Sequence, residues 1–200
     1  MSKMRKSLLH VFLCAIVAVC AVSLAAPVAN AATGSLEEKS FDIGLGGGIW
    51  FPGTIKIEDV DVDKTTGFLV RVFGDAYLMP KFAVGAYLNY SSFSLESGPV
   101  ELDASMYEFG IALKPRFLLS PTMALKPGLN IGYRNSMVDE SGFDDAQGLA
   151  LNLSVELQIA TGAGIDFFIE GGFLSQPSGG NDDADVTWAP IMYLAGGIVF

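Results

Sequence analysis

Charged residues occupy only one side of every strand-like segment in this chain. Eight runs alternate between apolar and other residues with a period of two, the pattern of β-strands; they span residues 41–51, 68–78, 82–90, 107–117, 123–133, 149–159, 165–173 and 188–200. Within these runs or at their rims, every charged side chain lies on the parity opposite the apolar side chains; the set is Asp42, Arg71, Asp75, Glu108, Lys114, Arg116, Lys126, Arg134, Glu156, Asp166 and Glu170. The pattern predicts a sheet with one charged face and one apolar face.

The sizes of the side chains decide which face points inward. An eight-stranded barrel has a lumen just wide enough for side chains to fill. The charged parity is also rich in glycine, whereas the other parity is a nearly continuous set of Leu, Ile, Val and Phe. We therefore predict that the charged face lines the lumen and that the apolar face contacts lipid, because so large an apolar belt would aggregate in water. The predicted fold class is all-β, an eight-stranded antiparallel up-and-down transmembrane β-barrel.

The connections between the runs alternate in length. Short turns at 79–81, 119–121 and 160–164 alternate with long polar connections at 51–67, 91–106, 134–148 and 174–187. Short periplasmic turns and long outer loops are typical of outer-membrane barrels. Aromatic residues near the strand ends would form two interfacial girdles; they are Phe41, Phe82, Phe117 and Phe200 on one side and Phe51, Phe68, Tyr107, Tyr133 and Trp188 on the other.

The four long connections are strongly acidic. They hold 14 of the 22 acidic residues but only two lysines, Lys56 and Lys64. This balance argues against nucleic acid and against anionic ligands as partners. The run Asp59-Val-Asp-Val-Asp63 is similar to the start of a calcium loop, but Lys64 stands in place of the glycine and Val70 in place of the bidentate glutamate. We therefore favour a solvated hairpin beyond the membrane over weak binding of Ca²⁺ or Mg²⁺ by these carboxylates, and we predict no metal site and no cofactor.

The N-terminus has the three parts of a secretory signal peptide. Basic residues precede an apolar stretch, and Ala29 and Ala31 form a small-x-small cleavage pattern. We predict a signal peptide over 1–31 and a barrel domain over 32–200. Cleavage would remove both cysteines and the only histidine, so the mature chain would lack a thiol nucleophile and an imidazole base. We accordingly predict no catalytic residues and no enzyme activity.

The C-terminal run ends on an aromatic residue. Its apolar parity holds Trp188, Met192, Leu194, Ile198 and Phe200, and the run would close the barrel by pairing with the first strand. This end resembles the signal by which the barrel-assembly machinery recognises outer-membrane barrels. The residues that would carry the signal are Tyr193, Ile198 and Phe200. Three prolines, Pro115, Pro127 and Pro190, fall inside predicted strands and indicate bulges, bends or misplaced strand ends.

Taken together, residues 32–200 resemble the small outer-membrane β-barrel family of the OmpA-transmembrane and OmpX type. The resemblance covers the eight runs, the alternating connections, the phrases at 81–90 and 126–134, and the terminal Ile198-Val199-Phe200. It implies a bacterial outer membrane location, contact with outer-membrane lipid and lipopolysaccharide, and structural, adhesive or shielding roles. We expect a monomer.

Two functions remain open for such a chain. The six acids and five bases of the lumen could line a selective pore, or they could neutralise one another and fill the interior, which we favour. The leading hypothesis is therefore a structural and surface-interacting barrel with acidic outer loops. The alternative is an OmpW-like narrow channel for small hydrophobic molecules. That channel would need an apolar pocket at the outer end of the lumen, where Trp50, Leu69, Phe73 and Tyr87 would gather.

Overall fold

The fold consists almost entirely of antiparallel strands. The structure, a computed structural model, describes residues 35–97, 100–140 and 144–200, so the predicted signal peptide lies outside the described residues. A short 3-10 turn, Leu36–Glu38, precedes eleven strands: β1 Phe41–Trp50, β2 Gly53–Ile57, β3 Val60–Lys64, β4 Gly67–Met79, β5 Phe82–Ser97, β6 Val100–Pro115, β7 Phe117–Ser120, β8 Met123–Val138, β9 Ala146–Ile159, β10 Asp166–Gly180 and β11 Val186–Val199. In the described ranges, no helix has the length and apolar character needed to span a membrane.

The strands close into a ring of eight positions. Each strand pairs antiparallel with its neighbours in the order β1, β4, β5, β6, β8, β9, β10 and β11, and β11 returns to pair with β1. The remaining segments lengthen this ring. The β2–β3 hairpin continues β1 and β4 outward and pairs with β11 and β5, whereas β7 continues β6 toward the periplasm. The predicted eight-stranded up-and-down barrel is confirmed.

Side chains alternate between the lumen and the outer surface along each strand. In β9, Leu153 is 60% exposed, whereas its neighbours Asn152 and Ser154 are buried. Close packing also explains why glycine is needed on the inner face. A Cβ atom added at Gly44 would overlap the ring of Phe73, and one added at Gly46 would overlap the ring of Phe168. The charged, glycine-rich parity therefore faces the lumen, as the sequence predicts.

Several strands extend farther outward than the sequence pattern indicates. The run predicted at 82–90 is β5, Phe82–Ser97, and the run predicted from 107 is β6, which begins at Val100. The first long connection is mostly the β2–β3 hairpin, in agreement with the hairpin predicted there, but its inward side chains are buried rather than solvated. The alternation of apolar and polar residues continues in this hairpin beyond the membrane. Its apolar residues Ile55 and Val62 face inward and pack inside the ring of strands.

The prolines lie where the strand pairing is already interrupted. Between the pairs Leu113–Leu129 and Phe117–Leu125, three residues remain on each strand, and this spacing sets Pro115 opposite Pro127. Neither proline can donate a backbone hydrogen bond, so the two missing donors fall at one interruption of the ladder.

A bulge near the outer end of β11 reverses one predicted orientation. Leu174 pairs with Ile191 and Gln176 with Trp188, so Ala189 and Pro190 on β11 are set against the single residue Ser175 on β10. An extra residue in one strand moves the following side chains to the other face. Trp188 is therefore buried at 3% exposure, and its predicted place in the outer girdle is wrong. The other predicted girdle residues are partly or fully exposed.

Candidate functional site

The lumen holds all eleven charged side chains that the sequence predicts for it. Each of them is at most 3% exposed. The structure adds Lys39, which lies in the polar segment before β1 and was not among the predicted residues. Its Nζ lies 3.0 Å from Asp42 and 2.7 Å from Asp166. With Lys39, six basic side chains face six acidic ones, so the set has no formal net charge.

The layer nearest the periplasm joins the N-terminal segment to the barrel. Asp42 accepts hydrogen bonds from the Tyr77 hydroxyl at 2.5 Å and from Lys126 at 3.3 Å. The Arg116 guanidinium donates instead to three backbone carbonyls, those of Pro80 at 2.8 Å, Leu36 at 2.7 Å and Glu37 at 3.4 Å. Leu36 is fully buried, and its backbone N–H donates to Pro121. The N-terminal turn thereby covers the periplasmic end of the lumen.

The middle layer is a network of ion pairs that crosses the lumen. Lys114 lies 2.7 Å from Asp75 and 3.1 Å from Glu156. Lys126 lies 2.5 Å from the other oxygen of Glu156, and also 3.3 Å from Asp42. These five side chains come from five strands, so the network ties opposite walls of the barrel together.

The next layer outward contains two arginine–carboxylate pairs. Arg134 contacts one oxygen of Glu108 through two nitrogens, at 2.6 and 3.0 Å. Arg71 pairs with Glu170, and the hydroxyl of Tyr193 donates to the same carboxylate. Tyr193 was predicted as part of the insertion signal, but its side chain is buried in the lumen.

The end of β11 completes the ring. The backbone N–H of Phe200 donates to the carbonyl of Ile43 at 2.8 Å, and the N–H of Ile43 donates back at 3.3 Å. Phe200 is 49% exposed, and Ile198 is half-buried opposite Leu45. These two residues are therefore placed on the outer wall, where the predicted insertion signal remains a prediction.

An apolar cluster fills the outer end of the lumen. The ring of Trp50 stacks on that of Phe93 with centroids 5.8 Å apart, and Trp188 meets both rings edge-on at 5.7 and 5.5 Å. We name this the outer apolar cluster; it also contains Ile55, Val62, Leu69, Leu95, Met106, Leu174, Val186 and Ile191. Trp50 and Leu69 belong to it, as the channel hypothesis expects.

Two other residues of the predicted apolar pocket lie elsewhere. Phe73 and Tyr87 form a separate, deeper group with Phe168, and Arg71 lies over the rings of both Phe73 and Tyr87, at 5.8 and 5.5 Å. The four residues therefore do not form a single pocket. Phe93 and Met106 also lie in the outer apolar cluster and were not predicted to face the lumen. The continued alternation of β5 and β6 could have revealed their inward orientation.

The outer surface above the membrane carries an acidic row. Asp63 on β3 lies directly opposite Glu96 on β5, which lies opposite Glu101 on β6. All three are exposed. Like charges directly opposite one another destabilise a sheet. Among the described residues, the ion pair of the β2–β3 hairpin joins Lys56 to Asp59 at 3.6 Å and does not involve this row. Within the described residues, no group of three His, Cys, Asp or Glu side chains has the arrangement of metal ligands.

Comparison with known proteins agrees with this architecture. A family model described as outer membrane protein β-barrel domain matches residues 16–187. The crystal structure of Neisserial surface protein A is similar at a TM-score of 0.60 and 12% identity, covering 80% of this chain and 96% of that chain. The outer membrane protein OprG from Pseudomonas aeruginosa gives a TM-score of 0.56 at 12% identity, covering 80% and 95%.

At such identities, the likeness concerns the fold alone. A search of curated protein sequences finds no match. The family model covers well over half of the sequence, and family membership implies a bacterial outer membrane location. The chain belongs to the family of outer membrane protein β-barrel domains.

Proposed function

We propose that the protein is a non-catalytic outer-membrane barrel with a filled lumen whose inner charge network is formally neutral, and that it presents an acidic surface to partners outside the cell. The observation that carries this proposal is the division of its charges. The twelve charged side chains of the three inner layers of the lumen balance one another, whereas Asp63, Glu96 and Glu101 project outward in a row of carboxylates.

The packing of the lumen supports a barrier rather than a channel. Ion pairs such as Lys126–Asp42 and Lys114–Glu156 cross the interior, and removing one member would leave an uncompensated buried charge. Farther out, the three rings of Trp50, Phe93 and Trp188 pack within 6 Å of one another. A channel for small hydrophobic molecules would need that space to be open, so the OmpW-like alternative is the weaker proposal.

The acidic row favours a partner with positive charges. Three adjacent carboxylates repel one another, and a cationic group bound across them would relieve that repulsion. A lysine-rich segment of an external protein has the required chemistry. The protein would act as a monomer in contact with lipopolysaccharide, after insertion by the barrel-assembly machinery through its C-terminal strand.

Binding of a fluorescent oligolysine peptide to the purified, folded protein tests the surface part of this proposal. The triple variant Asp63→Asn, Glu96→Gln, Glu101→Gln should raise the dissociation constant about tenfold, and added salt should weaken binding to the wild type. The matched control is Glu37→Gln with Glu38→Gln, which removes two exposed carboxylates at the periplasmic end. Equal binding by the triple variant and the wild type would contradict the proposal.

A further inference from the structure

The β2–β3 hairpin is attached to the barrel through two interruptions of the strand register. Within the described residues, a single backbone hydrogen bond remains at each of them, from Phe51 to Met192 and from Thr65 to Ser94, both at 3.0 Å. β1 gives way to β2 at Phe51–Pro52, and β3 gives way to β4 at Thr65–Thr66. Beyond these points, the hairpin pairs with three residues of β11 and two residues of β5. Its inward side chains Ile55 and Val62 are 2% and 9% exposed and form part of the outer apolar cluster. The hairpin is therefore a short element that covers an apolar interior and has an interruption at each base.

A lysine ammonium lies between those two interruptions. Lys64 is 1% exposed, and its Nζ donates to the carbonyls of Thr65 at 2.6 Å and Phe51 at 3.4 Å. The same Nζ lies 4.8 Å from the ring centroid of Trp50 and 5.2 Å from that of Phe93. The side chain predicted to be in a solvated hairpin is thus enclosed between the hairpin and the aromatic rings.

The charged groups around Lys64 do not neutralise it. Asp63 precedes Lys64 on β3 and lies opposite Glu96 on β5, but both carboxylates are exposed on the opposite face of the sheet. From β8, Arg134 lies over the far ring of the cluster, Trp188, and is paired with Glu108. The ion pairs found among the described residues do not include Lys64. Burial therefore lowers the pKa of the Lys64 ammonium to about 8, since the charged form loses water without gaining a carboxylate.

We propose that the β2–β3 hairpin is a proton-controlled lid over the outer apolar cluster, which protonation of Lys64 loosens and loss of that proton tightens. Opening would return the ammonium to water, where the pKa of a lysine has its ordinary value of 10.5. Between the two pKa values, the open hairpin binds more protons than the closed one, so raising the pH favours closure. The carbonyl and ring contacts hold the ammonium in place but do not replace its lost hydration.

The size of the effect follows from the two pKa values. The pKa of Lys64 is 10.5 in the open hairpin and about 8 in the closed one. This difference lowers the ratio of open to closed hairpin by up to about 300-fold once the pH exceeds both pKa values. Between pH 7 and pH 9.5, the expected decrease is about 30-fold. Below pH 7, Lys64 is almost fully protonated in both the open and the closed hairpin, so further acidification should hardly change the ratio of the two states.

Thiol labelling of the hairpin measures this ratio. In a background with Cys14 and Cys20 replaced by serine, one variant carries Val62→Cys, whose side chain points inward, and another carries Val60→Cys, whose side chain is 59% exposed. The ratio of their maleimide labelling rates reports the open population, because the intrinsic pH dependence of the thiol reaction is common to both sites. The proposal predicts that the ratio for the folded wild-type background falls at least tenfold from pH 7 to pH 9.5.

Two further variants assign the effect to Lys64. Lys64→Met keeps the length of the side chain without the charge, and it should give a low ratio that does not change with pH. Lys56→Met, in the same hairpin but with an exposed lysine, should keep the wild-type pH dependence. A flat ratio in the wild-type background would overturn the proposal even if Lys64→Met failed to fold. A ratio that rises with pH would also overturn it, because the ammonium would then fasten the hairpin.

Discussion

Replacement of Glu156 by Gln perturbs the centre of the lumen with almost no change in shape. Glu156 is fully buried and contacts Lys114 at 3.1 Å and Lys126 at 2.5 Å. The amide would remove one negative charge from a set that otherwise has no formal net charge. Both lysines would keep a carboxylate partner, since Lys114 still faces Asp75 at 2.7 Å, and Lys126 still faces Asp42 at 3.3 Å and Asp75 at 3.9 Å.

The expected loss in the free energy of unfolding is about 3 kcal/mol, at the lower end of the cost of breaking a buried ion pair. Glu170→Gln should cost more, about 5 kcal/mol, because Glu170 is the carboxylate paired with Arg71, for which the structure records no second ion pair among the described residues. Adding Lys114→Met to Glu156→Gln would restore neutrality, and a double-mutant cycle should then give a coupling energy of about 1–3 kcal/mol.

Urea unfolding of the protein in lipid vesicles, followed by tryptophan emission and by the mobility of the unheated protein on a denaturing gel, measures these differences. Glu96→Gln is the matched control, since it makes the same substitution on the exposed outer face and should change stability by less than about 0.5 kcal/mol. A Glu156→Gln protein as stable as the wild type would refute the view that the lumen charges hold the barrel together.

Three further predictions follow from single contacts. Arg116→Leu removes the donor to the Leu36 carbonyl, so limited proteolysis should cut the N-terminal turn faster than in the wild type. Unchanged cleavage would show that Arg116 does not hold this turn against the barrel. Leu69 is 1% exposed inside the lumen, so Leu69→Ala should lower the free energy of unfolding in urea by about 2–5 kcal/mol. Leu153 is 60% exposed on the wall, so Leu153→Ala should lower it by less. The reverse order would contradict the inward orientation of Leu69. Gly85→Val should prevent formation of the compact gel form, because a Cβ there would overlap Asp75, and a normally folded variant would show that the lumen can expand.

Much of the wall could be predicted from sequence because a barrel strand repeats every two residues. Strict alternation, as at 149–159, fixes which side chains face inward, and Glu156 and its partners were found in this way. Not all of the pairings among these side chains could be predicted. Lys126–Glu156 and Arg134–Glu108 join residues directly opposite one another on adjacent strands, but Lys114–Asp75 joins strands that are not neighbours in the sheet.

The errors have local causes. A bulge adds one residue to β11, and this moves Trp188 from the wall into the lumen without any mark in the periodicity. Lys39 lies before the first strand, so no alternation indicates that it faces the lumen. Lys64 has the same parity as the inward-facing Val62, but its charge is typical of a solvated hairpin. Only the aromatic rings packed around its ammonium show that the side chain is buried.

The central claim is that the lumen is filled and closed, and the electrical conductance of the purified, folded protein in planar lipid bilayers tests it most directly. The wild-type protein should insert without single-channel steps, because the ion pairs Lys114–Glu156 and Lys126–Asp42 cross the middle of the lumen and the rings of Trp50, Phe93 and Trp188 fill its outer end. Steady single-channel steps from the wild-type protein would contradict it and would make the lumen charges the lining of a pore.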